Sequence, residues 1–152
     1  MNDEQKAINQ AALQVAKHNA DAAREAMTEA EIARSLAVKE AEKSAEADAQ
    51  GRAGNAGYHA YEAVQAADQA AAAAKRTSRH ARYAQEAAEW ISPEAPEAAE
   101  ANEAATQAAE YAQAANREAA TANRKTAMAE TTQVAVTISN IANEALNTKE
   151  SK

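Results

Sequence analysis

The 152-residue chain has no cysteine, which removes disulfides, thiol nucleophiles and thiolate metal sites. It has no phenylalanine, one tryptophan and only 3% aromatic residues. A thick core needs large side chains, each stabilising by roughly 1.5–3 kcal/mol when buried, and they are scarce here. Three glycines and two prolines leave few places to turn. The densest apolar run, Ala70 to Ala74, is far too short to span a bilayer. Met1 to Lys6 is polar and lacks the apolar centre of a signal peptide. The sequence does not choose a compartment: secreted if a longer signal-bearing chain carries it, otherwise cytoplasmic. Lys and Arg are outnumbered, and the net charge of −7 argues against general nucleic-acid binding.

What the chain does have is alanine, about a third of all residues and the strongest helix former. Its placement is periodic. Ala56, Ala60, Ala63, Ala67, Ala70, Ala74, Thr77, Ala81, Ala84, Ala88 and Ile91 follow steps of 4 and 3 without a break. Such a repeat keeps one seam of an α-helix facing one partner over many turns. A seam of methyl groups lets that partner come close, toward the low end of the usual 8–10 Å helix spacing.

A first helix is expected over about residues 3–50, capped by Asn2 or Asp3. Its seam reads Ala12, Ala16, Asn19, Ala23, Ala26, Ala30, Ala33, Ala37. Asn19 is the polar member, a register device. After Ala37 the alanines step 4, 4, 4 through Ala41, Ala45 and Ala49, which reads as a stutter. All three glycines then fall between Gly51 and Gly57. They read as a helix stop and turn, or else as a flexible patch in one continuous helix. The second helix covers about 58–91. Ser92-Pro93-Glu94-Ala95-Pro96 breaks it, with Ser92 as N-cap of a third helix starting at Pro93 or Glu97. That helix runs to about residue 147 along Ala98, Ala101, Ala105, Ala108, Ala112, Ala115, Ala119 and Ala122. Past Thr126 its apolar set shifts by one place, to Ala127, Val134, Ile138, Ile141 and Ala145. Thr148 to Lys152 should fray.

Residues that carry chemistry are spread out. His18, His59 and His80 show no metal-binding spacing and read as structural or exposed. The many carboxylates read as solvated faces, because thin alanine seams leave little room for a pocket that shifts their pKa values. No cofactor, no metal and no enzymatic activity are expected. Lys75, Arg76, Arg79, His80 and Arg82 form one basic cluster, expected to pair with acidic neighbours such as Glu86, Glu97 or Glu100 rather than to hold an anion. Thr126, Thr137 and Thr148 recur every 11 residues, as do Thr121 and Thr132. That spacing resembles the alanine-rich ice-binding helices of some fish, although Glu130 and Val134 interrupt the flat face such binding needs.

At Gly54-Asn55-Ala56-Gly57-Tyr58-His59-Ala60-Tyr61-Glu62-Ala63, and again at Arg82-Tyr83-Ala84-Gln85-Glu86-Ala87-Ala88, residues 51–130 resemble another group. It is the alanine-rich coiled-coil stalk of secreted actinobacterial ALF-repeat proteins, including umbrella-toxin-type polymorphic toxins. The likeness is largely one of composition. It implies a stalk-like piece without catalytic residues, and no ALF repeat unit or toxin domain is present in the sequence.

The sequence therefore predicts an all-α fold: one domain, an antiparallel bundle of three long helices with alanine seams. Its expected work is structural or recognitional, as a spacer, stalk or docking bundle, with ice binding as the alternative. Partners are expected to be protein, or a second copy, met through helices. A self-contained spacer needs matched seams within one chain. A docking module needs an uncovered apolar strip, expected around Val134, Ile138 and Ile141 or around Tyr83 and Trp90.

Overall fold

A computed structural model describes residues 1–150. The chain is all-helical among these residues, with α1 at Asp3–Ala49, α2 at Ala53–Glu89 and α3 at Glu97–Glu150. It is an all-α bundle. The Asn2 side chain caps α1, its Oδ1 accepting the Gln5 N–H at 2.7 Å. Asp3 and Glu4 lie in the first turn, where the helix dipole favours negative charge.

The turn between α1 and α2 is tighter than the glycine cluster suggests. Gly51 alone adopts a left-handed backbone, with φ of 72°. Its N–H donates to the Asp48 carbonyl at 3.0 Å, and the Arg52 N–H donates to the Ala47 carbonyl at 2.9 Å. This pair of bonds is the Schellman ending of a helix. Gly54 and Gly57 belong to α2, which starts five residues before the expected Tyr58. At the other break, Ser92 does not cap α3. Its carbonyl accepts the Ala95 N–H at 2.9 Å, closing a turn, and α3 opens at Glu97 just after Pro96. The helix continues through Thr148 and Lys149, where fraying was expected, while Ser151 and Lys152 lie outside the described residues.

Contacts divide the chain into two compact units, each with a stretch of all three helices. The first joins Met1–Ile32 to Ala70–Ala119. Its core is alanine from all three helices, with Leu13 and Ile91 as the large side chains. Antiparallel pairing of α1 with α2 follows from the contacts Asn9–Ser92, Asn19–His80 and Glu29–Arg76. Lys17 pairs with Glu100, which sets α3 alongside α1. The second unit joins Ala33–Gln69 to the part of α3 from Ala120 onward. Glu40–His59 and Ser44–Ala56 pair α1 with α2 there, and Ala60, Ala63 and Ala129 form its apolar cluster.

The seam of α1 carries no stutter. Ala41 is half-buried and Ala45 and Ala49 are exposed, while Glu40, Ser44 and Ala47 are buried. Buried positions thus run Asn9, Ala12, Ala16, Asn19, Ala23, Ala26, Ala30, Ala33, Ala37, Glu40, Ser44, Ala47, in unbroken steps of 3 and 4. The seam of α3 does not shift either. Thr126 and Ala129 continue it, and Ala127 is exposed. In both places the seven-residue period persists while the residue type changes, because helix geometry, not alanine content, selects the inward positions.

Candidate functional site

The seam residues sit where the helices meet. Of the expected set on α2 and α3, Ala81, Ala98 and Ala105 are half-buried. The others, from Ala56, Ala60, Ala63, Ala67, Ala70, Ala74, Ala84 and Ala88 to Ala101, Ala108, Ala112, Ala115, Ala119 and Ala122, are buried. They hold the bundle together and offer no reactive group.

Polar members of the seams form small closed networks. In the first unit the Asn19 amide donates to the Val15 carbonyl at 2.9 Å, and its oxygen lies 2.9 Å from His80 Nδ1. His80 meets the Tyr83 ring edge-on. Asn9, fully buried, accepts the Ser92 N–H at 3.3 Å and fastens the start of α1 to the α2–α3 connection. In the second unit Glu40 lies 2.6 Å from His59 Nδ1 and 3.3 Å from Lys43 Nζ. Burial works to raise the Glu40 pKa, but the hydrogen bonds and charges of His59 and Lys43 outweigh it and hold the carboxyl below its ordinary value. The Ser44 hydroxyl donates to the Ala56 carbonyl at 2.8 Å. Such pairs fix register between facing helices.

Asn9, Glu40 and Ser44 were not singled out by the alanine pattern, yet each falls on the seven-residue period. In the basic cluster, Arg76 pairs with Glu29 on α1, and Arg82 pairs with Glu86 while lying over the Tyr83 ring. Thr126 is buried, so the threonine row it begins does not lie on one open face. Its hydroxyl bonds the Asn123 carbonyl.

Large apolar side chains are distributed the other way round from the alanines. Most stand outside; Ile32, Leu36, Tyr58, Tyr61 and Met128 lie apart, and others gather on two surfaces. In the first unit, Ile8, Ala11, Ala12, Val15 and Asn19 of α1 face Tyr83, Glu86, Ala87 and Trp90 at the end of α2. Between these walls runs an open, mainly apolar groove of about 510 Å³. Trp90 is 72% exposed on its rim. In the second unit, Val134, Ile138, Ile141 and Leu146 of α3 are 58–63% exposed. Val136 reaches the first turns of α2, where a Cβ placed on Gly57 would lie 3.7 Å from its Cγ1. Every side chain from Thr137 to Lys149 is exposed. Both strips named in the sequence are thus open to solvent. What the sequence did not reveal is that α1 supplies half of the groove at Tyr83 and Trp90, a long-range pairing no local pattern encodes.

No protein-family model, curated protein or solved structure matches this chain. No helix of the described residues is long and apolar enough to cross a membrane.

Proposed function

We propose that the chain is a non-enzymatic helical docking and spacing module that works by taking protein helices onto its surface. One observation carries this reading: most large apolar side chains lie outside a core that is nearly all alanine, Leu13 and Ile91 apart. Scattered exposed apolar residues are ordinary, whereas contiguous ones mark interaction surfaces. Trp90, Tyr83 and Val15 are contiguous around the groove, and Val134, Ile138 and Ile141 form a stripe with helical spacing. Amphipathic helices are recognised by grooves of this kind through anchors at i, i+3 or i+4, and i+7. The resemblance of residues 51–130 to alanine-rich stalks of secreted actinobacterial toxins would place the module as a stalk-like part of such an assembly.

The test is photo-crosslinking. A benzophenone amino acid replaces Trp90 in one variant and Ile141 in another, with a control at exposed Gln107, in an extract of the cells that make the protein. The reading expects protein adducts at positions 90 and 141 well above the control. Adducts no more frequent than the control at both positions would contradict it.

A further inference from the structure

Resting on that docking reading, we infer that the groove of one copy receives the end of α3 from a second copy, so that chains join head to tail. Four matches support this occupant. The first is spacing: Ile8, Ala12, Val15 and Asn19 on the groove wall step 4, 3, 4, and so do Val134, Ile138, Ile141 and Ala145. The opposite wall, Tyr83, Ala87 and Trp90, steps 4, 3. Equal periods let knobs of one helix enter holes between two others along their whole length.

The second match is length. Both stripes cover 12 residues, or about 17 Å at 1.5 Å per residue. The third is polarity. Glu144 is the single formal charge from Thr131 to Thr148, in a chain where 26% of residues are charged. The groove is likewise mainly apolar, with Glu86 as its one charged wall residue. That pairing desolvates few charges, the main penalty against burying such a surface.

The fourth match sets direction. Arg82 lies near the Asn19 and Tyr83 end of the groove, well exposed, with its Nε 3.7 Å from Glu86; a guanidinium has five N–H donors, enough for a second carboxylate. A guest helix running parallel to α1 brings Glu144 to that cation, with Val134 at the Ile8 and Trp90 end. One helix end laid in one open groove is a contact at the small end of specific interfaces. Association is therefore expected to be reversible. A contact between two different surfaces is heterologous, so growth continues past the dimer unless the chains close into a ring.

The experiment uses two full-length surface variants, Val15→Glu in the groove and Ile138→Glu on the strip. Both sites are exposed and Glu is a good helix former, so circular dichroism should match the wild type. Masses are measured by sedimentation against concentration. The wild type is expected to grow beyond twice its 16.0 kDa chain mass. Each variant alone is expected to stay at one chain, having lost one half of the contact. Mixed in equal amounts they should form a two-chain species and no larger one, with a shift of Trp90 emission to shorter wavelength. The proposal is overturned if Val15→Glu still dimerises while Ile138→Glu does not, which means strip pairs with strip. It is also overturned if Ile138→Glu dimerises while Val15→Glu does not, which means groove pairs with groove. A wild type that stays at one chain throughout overturns it as well, while crosslinks from positions 90 and 141 to another protein would leave the docking reading standing.

Discussion

Single residues show how little side-chain material this fold uses. Ala16, Ala23, Ala70 and Ala108 are fully buried, and each brings one methyl group to its seam. A methyl group is worth about 0.8 kcal/mol, so stability comes from many equal contributions and not from a few anchors. Glycine illustrates the same economy. Gly51 is the one residue with a left-handed backbone among the described residues, and a side chain there is strained whatever the space around it. Gly57 sits inside α2, where an added methyl group would meet Val136 at an ordinary contact distance of 3.7 Å. The expected outcome is opposite in sign at the two sites. Gly51→Ala should lose about 1–2 kcal/mol, and Gly57→Ala should gain about 0.4–1 kcal/mol, both measured by urea unfolding.

At the scale of the helices, polar pairs select which turn of α1 faces which turn of α2. Asn19 and Glu40 lie three heptads apart on α1, and their partners His80 and His59 lie three heptads apart on α2. An alanine seam alone would slide by a heptad at small cost, because every step of it looks alike. Glu40 makes its pairing sensitive to acid. Its folded pKa lies below the ordinary 4.5, so on acidification the unfolded chain takes up a proton first. The stabilisation is complete above that ordinary value and fades as pH falls through the folded one. Glu40→Gln, which cannot gain or lose the charge, should unfold about 1–2 kcal/mol more easily at neutral pH. The gap between variant and wild type should close as pH drops below the ordinary carboxylate range, a trend thermal melts at a series of pH values will read.

These pairs also mark where sequence reasoning stopped. The seam from Ala12 to Ala37 and that from Ala56 to Ile91 were legible because period and residue type agreed. At Glu40, Ser44 and Thr126 they disagreed, and following alanine led to a stutter and a shift that the helices do not have. Gly54 and Gly57 misled in the same way. A glycine cluster suggests a stop over its whole length, although a short turn needs only one left-handed residue and the rest can stay helical. The strip at Val134, Ile138 and Ile141 was legible as an odd apolar set, and the exposure of Ile138 and Ile141 follows from α3 continuing past Val136, the residue that meets the first turns of α2.

Across the whole molecule, two kinds of helical backbone stand apart. Most residues on the alanine seams are closed to water, and the last turns of α3 are helical but uncovered. Backbone amides in packed helices exchange only on cooperative opening, whereas those in an unsupported helix end exchange through local fraying. Amide hydrogen exchange in dilute solution, where copies do not meet, measures this division most directly. The account predicts strong protection through Ala12–Ala47, Ala56–Ala88 and Ala101–Ala129, with exchange faster by several orders of magnitude from Ile138 to Thr148. Equal protection of both regions, or seam amides exchanging as fast as the α3 end, would contradict it.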